Sequence, residues 1–292
     1  MNKAEIFNGR CFACKICNGK ACRGIIPGMG GLGNGNTFVS NYDSWENIKI
    51  ESNKDKMPKI VFAPMTGVDE NMGGYLSERE FHHLAVKASK KACILHSIGD
   101  GFPEYKLEYG AEALRKNNSM GAVFLKPFRH ELLMKKYNSI KDVASFVGID
   151  IDCLCLPTLK GVKDIVDMGY EELNSFIKNI DIPFIIKGIF DSSQIELIRK
   201  LRPFGVVVSN HGGRVFDNGK GIAYILKELE NEIRPFVKEI WVDGGLRKRE
   251  HLLKAKALGA DRVIIGRPFA VNTILYREKG VVRFLEENSI CL

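Results

Sequence analysis

A single (β/α)8 barrel is the fold that this sequence predicts, and three observations predict it. Short apolar runs, KIVFAPM, ACILHS, AVFLKP, VGIDID, PFIIKGI, GVVVSN, EIWVDGG and RVIIGR, recur from Lys59 onward, eight in all. Amphipathic stretches such as SEREFHHLAVKASKKA, GYEELNSFIKNI and REHLLKAKALGA separate them, with apolar residues spaced as on helices that bury one face. The strand runs are apolar on both faces, as parallel strands covered by helices must be. At 292 residues the chain has room for one such barrel, which takes about 250 residues. An open doubly wound sheet shares the alternation, but it calls for a glycine-rich fingerprint after the first strand, and APMTGV supplies none.

In chain order, residues 1–54 read as a Cys- and Gly-rich extension and residues 55–292 as the barrel. The extension carries CFACKICNGKAC and then RGIIPGMGGLGNGN, whose glycines penalise helix and strand alike and predict a turn-rich path. Residues 41–50, with Trp45 and Ile48, are expected to form one short helix or strand that presses the extension onto the barrel. Ser77 stands at capping-box distance from Glu80, and Asp191 or Ser192 is placed to cap the helix holding Ile195 and Leu197. Beyond the eighth strand, VNTILYREKGVVRFLEENSICL has room for one helix.

The net charge of +8 is spread along the chain rather than gathered in a block, which argues against a nucleic-acid partner and suits small anionic ligands. The first residues lack an apolar signal core, and no run approaches the roughly 18 apolar residues of a membrane span, so a cytoplasmic protein without a membrane partner is expected. Four of the eight cysteines, Cys11, Cys14, Cys17 and Cys22, form C-x2-C-x2-C-x4-C. The spacing is one residue longer at its last step than a ferredoxin-type run and lacks the following proline; an iron–sulfur cluster, a tetrahedral zinc and no metal at all stay open. Cys93, Cys153 and Cys155 read as small core residues.

In a barrel the C-terminal strand ends converge on one face, where active sites sit. Here they carry Pro64, Met65 and Thr66; His96 and Ser97; Lys126; Asp150 and Asp152; Lys187; Ser209, Asn210, His211 and Arg214; Asp243 to Gly245; Gly266 and Arg267. The turns WVDGG and IIGR let backbone N–H groups approach a phosphate, with Arg247 and Arg267 to pair with it, although such glycines also serve tight turns. Lys187 at the end of an apolar strand calls for a bound anion. His82, His83, His130 and His251 are expected in solvent, while His96 faces the site if its strand register is right. Asp150 and Asp152, two apart on one strand, are expected to share a face.

PFIIKGI, VVVSNHGGRVFD, VDGGLRKREHLLKAKALGA and VIIGRPFA resemble the FMN-dependent 2-hydroxy acid oxidase and dehydrogenase family, which includes glycolate and lactate oxidases. The likeness is dense over residues 183–270, thinner but collinear from Lys59, and slight over residues 1–36. The resemblance implies a flavoprotein oxidoreductase that turns a small 2-hydroxy acid into a 2-oxo acid. It implies that Lys187 lies beside the flavin N1 and C2 carbonyl, that His211 is the base and that Arg214 holds the substrate carboxylate. Ser209 would bond the flavin, Asp243 and Gly245 the ribityl chain and phosphate, and Arg247, Gly266 and Arg267 the phosphate. Pro64, Met65 and Thr66 stand where the family lays backbone along the ring. Either Asp150 or Asp152 matches the aspartate that orients the histidine, with Asp152 favoured.

Departures from the family pattern mark the substrate side. Lys126 and Ile98 stand where an aromatic Tyr and Trp are usual, the carboxylate-binding N-terminal tyrosine has no counterpart, and LCLPTLKGVKD lacks an expected arginine. Lys126 and His96 are therefore the substrate-contact candidates. Two other readings remain: an FMN barrel of isomerase-like chemistry, and an electron-transfer flavoprotein built on the N-terminal cysteines. The final electron acceptor, O2 or a redox partner, is open. The resemblance further implies a homo-oligomer and relatives that usually continue past this C-terminus.

Overall fold

The computed structural model describes residues 37–50, 56–72, 75–156, 159, 162, 164–215 and 219–290. Cys11, Cys14, Cys17 and Cys22 lie outside the described residues. Eight parallel strands close into one barrel in sequence order: β1 Lys59–Phe62, β2 Leu95–Gly99, β3 Gly121–Leu125, β4 Ala144–Asp150, β5 Phe184–Ile189, β6 Gly205–Val208, β7 Glu239–Asp243 and β8 Arg262–Ile265. Closure is made by β1 on β8, with Lys59 opposite Arg262 and Phe62 opposite Ile265. All eight predicted runs are thus strands, and the open doubly wound alternative is excluded.

The helices, in chain order, are α1 Thr37–Asn47, α2 Val68–Asn71, α3 Glu78–Lys91, α4 Tyr105–Lys116, α5 His130–Ile140, α6 Tyr170–Ile177, α7 Ile195–Leu201, α8 Ile222–Ile233, α9 Arg249–Ala257, α10 Arg267–Tyr276 and α11 Gly280–Glu287. Ser77 caps α3 by accepting from Glu80 N at 3.2 Å, and Asp191 accepts from Ser193 N at 2.8 Å ahead of α7. The stretch after β8 holds two helices rather than one, because α10 starts at once on Arg267-Pro268 and α11 follows a short 3-10 turn. Among the described residues no helix is long and apolar enough to cross a membrane.

Two apolar layers follow from the strand alternation. Val61, Phe124, Ile185, Val207, Trp241 and Ile264 fill the barrel interior. Their neighbours, among them Phe62, Ile186, Val206 and Val242, face the helices. The interior layer is floored by Trp241, whose ring meets Phe146 at 5.3 Å and Phe124 at 6.3 Å. Gly148 on β4 makes room for Phe124, since a Cβ there would lie 2.6 Å from that ring.

Helix α1 falls on the extension side of the boundary expected at residue 55, yet it packs as part of the barrel. Trp45 is fully buried, and its indole donates to Gly244 O at 2.8 Å. Lys254 of α9 donates to the carbonyls of Trp45 and Glu46 at 2.8 and 2.9 Å, satisfying groups that a helix C-terminus leaves open.

Candidate active site

The strand period decides which side chains reach the mouth of the barrel. Lys126 stands two residues past inward-facing Phe124, Asp150 two past Gly148, Lys187 two past Ile185, and Asp243 two past Trp241. Each therefore rises from the apolar interior at the C-terminal end. Above them lies a cavity of 360 Å³, lined by Pro64, Met65, Thr66, Lys126, Asp150, Lys187, His211, Arg214, Asp243, Gly245, Arg247, Gly266 and Arg267 among others.

A buried charge network forms its floor. Asp150 accepts from Lys126 Nζ at 2.6 Å through one oxygen and from Lys187 Nζ at 2.7 Å through the other. Burial opposes its ionisation, but Lys126 and Lys187 hold the carboxyl well below the usual carboxylate range. Asp150 in turn keeps both lysines above their ordinary values against the same burial. Asp152 does not share the strand with Asp150. It sits in a 3-10 turn, Ile151–Cys155, so the face is set by that turn rather than by strand alternation. Gly188, with φ 99° at a bulge in β5, admits it, for a Cβ there would lie 2.6 Å from Asp152 Cβ.

His211 Nδ1 lies 3.1 and 3.3 Å from the two Asp152 oxygens, 3.6 Å from Asp150 Oδ1 and 3.5 Å from Lys187 Nζ. Burial first, and the Lys187 cation second, push the imidazole well below its ordinary value, so it stands neutral. Burial and the Asp150 charge push the Asp152 carboxyl up. With Nδ1 turned to Asp152, Nε2 is the nitrogen left for a ligand. Three residues on, Arg214 lines the cavity with a buried Nε that has no hydrogen-bond partner among the described residues. A buried guanidinium N–H without a partner is costly, and a ligand carboxylate is one group that could complete it.

The corner between β7 and β8 has a geometry that could hold an anion. Gly244 and Gly245 have φ of 95° and 77°, and the backbone of Asn41 lies so close that a Cβ on Gly245 would meet its carbonyl at 2.5 Å. Arg247 donates to Leu246 O at 2.7 Å and pairs with no carboxylate among the described residues; burial pushes its guanidinium down to about 10. That uncompensated cation beside glycine turns fits a phosphate. Ser209, fully buried, donates to Asp243 Oδ1 at 2.7 Å instead of lining the cavity. Asp150, Asp152 and His211 also lie close enough together to suggest a metal site. Two ammonium groups already bond Asp150, which disfavours another cation there.

Several expected placements change. His96 points outward, bonding Ser89 of α3 at 2.9 Å and packing on Phe62, so it does not join the site. Leu95 is the inward residue of that strand, which puts Ser97 and Gly99, not His96, on the cavity side. His82 and His251 are buried rather than solvated, and Cys93 is exposed at a turn with φ 52°. Three contributors carried no sequence signal. Glu78 of α3 accepts from Gly67 N at 2.7 Å and Val68 N at 2.8 Å, fixing the loop after β1 that lines the cavity. Leu156 and Leu159 form an aliphatic wall.

Comparison with known proteins bears on this site. Residues 160–288 match the family model of the FMN-dependent dehydrogenases. 2-Hydroxyacid oxidase 2 of Bos taurus is 37% identical over 117 residues, 40% of this chain and 33% of that protein. L-lactate dehydrogenase (cytochrome) of Wickerhamomyces anomalus is 37% identical over 121 residues, 38% of this chain and 20% of that protein. The aligned region thus spans a third or less of these curated relatives. Mandelate oxidase with benzoyl-formic acid superposes with a TM-score of 0.65 at 20% identity, over 89% of this chain and 84% of that one. A flavocytochrome b2 variant with pyruvate bound gives 0.70 at 19% identity, over 88% and 74%. At such identity the structural likeness speaks for the fold.

Proposed function

We infer that this chain is a member of the FMN-dependent 2-hydroxy acid oxidase and dehydrogenase family, and that with FMN it oxidises a small 2-hydroxy acid to the 2-oxo acid. The observation that carries this reading is the meeting of His211, Arg214 and Lys187 at one cavity, whose far corner also holds Arg247 beside glycine turns. The glycine turns and the unpaired Arg247 suit the phosphate of FMN, and Lys187, held cationic by Asp150, suits the electron-rich end of its ring.

The oxidation removes two electrons and two protons from the carbinol carbon and its hydroxyl. FMN, when bound, would accept the electron pair together with one of the two protons. Arg214 binds the substrate carboxylate with the edge that is otherwise unpaired. His211 Nε2 takes a proton from the substrate, and Asp152 at Nδ1 orients the ring and stabilises the imidazolium that forms. Lys126, tied to Asp150, supplies positive charge where the substrate's oxygen atoms gather. Leu156 and Leu159 suit a short aliphatic side chain on the acid. A cytoplasmic homo-oligomer completes the reading; the free thiols of Cys93 and Cys153 support the first part, and the resembling family the second.

Purified protein reconstituted with FMN should be yellow and should bleach without oxygen on addition of glycolate, L-lactate or another L-2-hydroxy acid with a stereocentre at C2. His211→Ala should keep the colour and slow bleaching by about 10²- to 10⁴-fold, the usual worth of a general base. Protein that takes up no FMN would sink the proposal. Uptake of FMN with no bleaching by any acid would remove the substrate claim and leave the other flavin chemistries. The rate of reoxidation in air distinguishes O2 from a redox partner as final acceptor.

A further inference from the structure

Helix α1 lies outside the strand and helix alternation, yet it reaches the turn that carries His211. Asn41 and Asn210 form a reciprocal amide pair, Asn41 Nδ2 donating to Asn210 Oδ1 at 2.9 Å and Asn210 Nδ2 donating to Asn41 Oδ1 at 2.9 Å. Both residues are 1% exposed. Each oxygen accepts one backbone N–H as well: Gly213 N on Asn210 Oδ1 and Ile222 N on Asn41 Oδ1, both at 3.0 Å. An amide has donors at one end and acceptors at the other, so these four bonds fix which way round both side chains stand. Turning Asn210 over would set its NH2 against the N–H of Gly213 in a buried place.

The turn depends on such a brace. His211, Gly212 and Gly213 have φ of 56°, 66° and 84°, and at His211 a side chain makes this left-handed conformation unfavourable. Three bonds hold it: His211 N to Ser209 Oγ at 3.0 Å, Gly213 N to Asn210 O at 2.8 Å, and Gly213 N to Asn210 Oδ1. The last stays aimed because Asn41 grips the other end of the amide. Asn41 does not line the cavity.

We propose that Asn41 is a positioning residue which, acting through Asn210, holds the 211–213 turn so that His211 stays on Asp152 and Arg214 faces the cavity. The inference rests on His211 and Arg214 having the roles given above. Asn41→Ala keeps the backbone that backs Gly245, so FMN affinity should change by less than about threefold, whereas anaerobic flavin reduction at saturating acid should slow by about 10- to 100-fold. The acid is whichever of L-lactate, glycolate and (S)-mandelate reduces the wild type fastest. Asn210→Ala should slow reduction similarly, and the double variant should be no slower than the slower single by more than about twofold. Losses that multiply, or full-rate reduction in Asn41→Ala with only a lowered melting temperature, would overturn the proposal. Hydrogen exchange of the free protein gives a readout independent of substrate. The peptide covering residues 210–215 should exchange faster in Asn41→Ala while the barrel strands keep their protection, and unchanged exchange there overturns the proposal. If no acid reduces the wild type, the functional reading fails and exchange alone decides the role of Asn41. Should Asn41→Ala not fold, Asn41→Asp keeps an acceptor for Ile222 and replaces the donor to Asn210 Oδ1 with a carboxylate oxygen; the same two outcomes are expected of it.

Discussion

The two sides of the cavity handle buried charge in opposite ways. On the β2–β4 side each cation has a carboxylate partner: Lys106 meets Glu70 at 3.2 Å, Lys136 meets Asp100 at 3.0 Å and Lys126 meets Asp150 at 2.6 Å. On the β6–β8 side Arg214 and Arg247 have none among the described residues. Lys187 on β5 stands at the border and shares Asp150. Burying an unpaired cation is costly, which is what the proposed anionic ligands would relieve. One side is a finished scaffold; on the proposed function, a phosphate and a carboxylate complete the other.

If that contrast is right, substitutions on the two sides should separate stability from binding. The largest effect is expected at Asp150, which satisfies two buried ammonium groups. Asp150→Asn should lower the stability of the ligand-free protein by about 3–5 kcal/mol, read as a shift in the denaturant midpoint. A loss below about 1 kcal/mol would mean that water, not Asp150, satisfies the lysines. Next comes Arg214→Ala on the open side. It should not lower the midpoint by more than about 0.5 kcal/mol, because no bond to another described residue is broken and a costly buried cation is removed, while the KM for the hydroxy acid rises by about a hundredfold. An Arg214→Ala variant as unstable as Asp150→Asn would erase the distinction between the two sides.

The same division governs what could be read from the sequence. The open side is built from short contiguous motifs, SNHGGR, VDGG and GRP, whose backbone turns place their own side chains, so the placement of His211, Arg214, Gly245 and Arg247 at the cavity is legible from their order. The eight strands were legible too, because burial on both faces writes an uninterrupted apolar run. The closed side depends on partners that no local pattern links. Lys136 finds Asp100 across 36 residues, and Glu78 holds the amides of Gly67 and Val68 from a neighbouring helix. His96 was misplaced by one step of strand phase, since β2 starts with Leu95 facing in. Asp152 reached His211 although the strand that was expected to carry it had already ended. Asn41 lies 169 residues from Asn210 and carries no signal at all.

The smallest expected effect is an absence of change with pH, and it tests the border between the two sides. His211 is pushed well below its ordinary value of 6.5, by burial first and by Lys187 next, with Asp150 opposing. A group whose folded value is depressed is neutral in the folded protein at pH values where the unfolded chain already binds the proton. Folding stability should therefore decline as pH drops below about 6.5, the sign that linkage gives when the unfolded state binds more protons. The base itself, in contrast, stays available, so kcat/KM should remain level through pH 6.5 and fall only at lower pH. A profile of kcat/KM that halves near 6.5 would mean that His211 titrates as it does in water. The Lys187 charge would then be spent on Asp150 rather than felt at the imidazole, and the closed side would reach as far as the base.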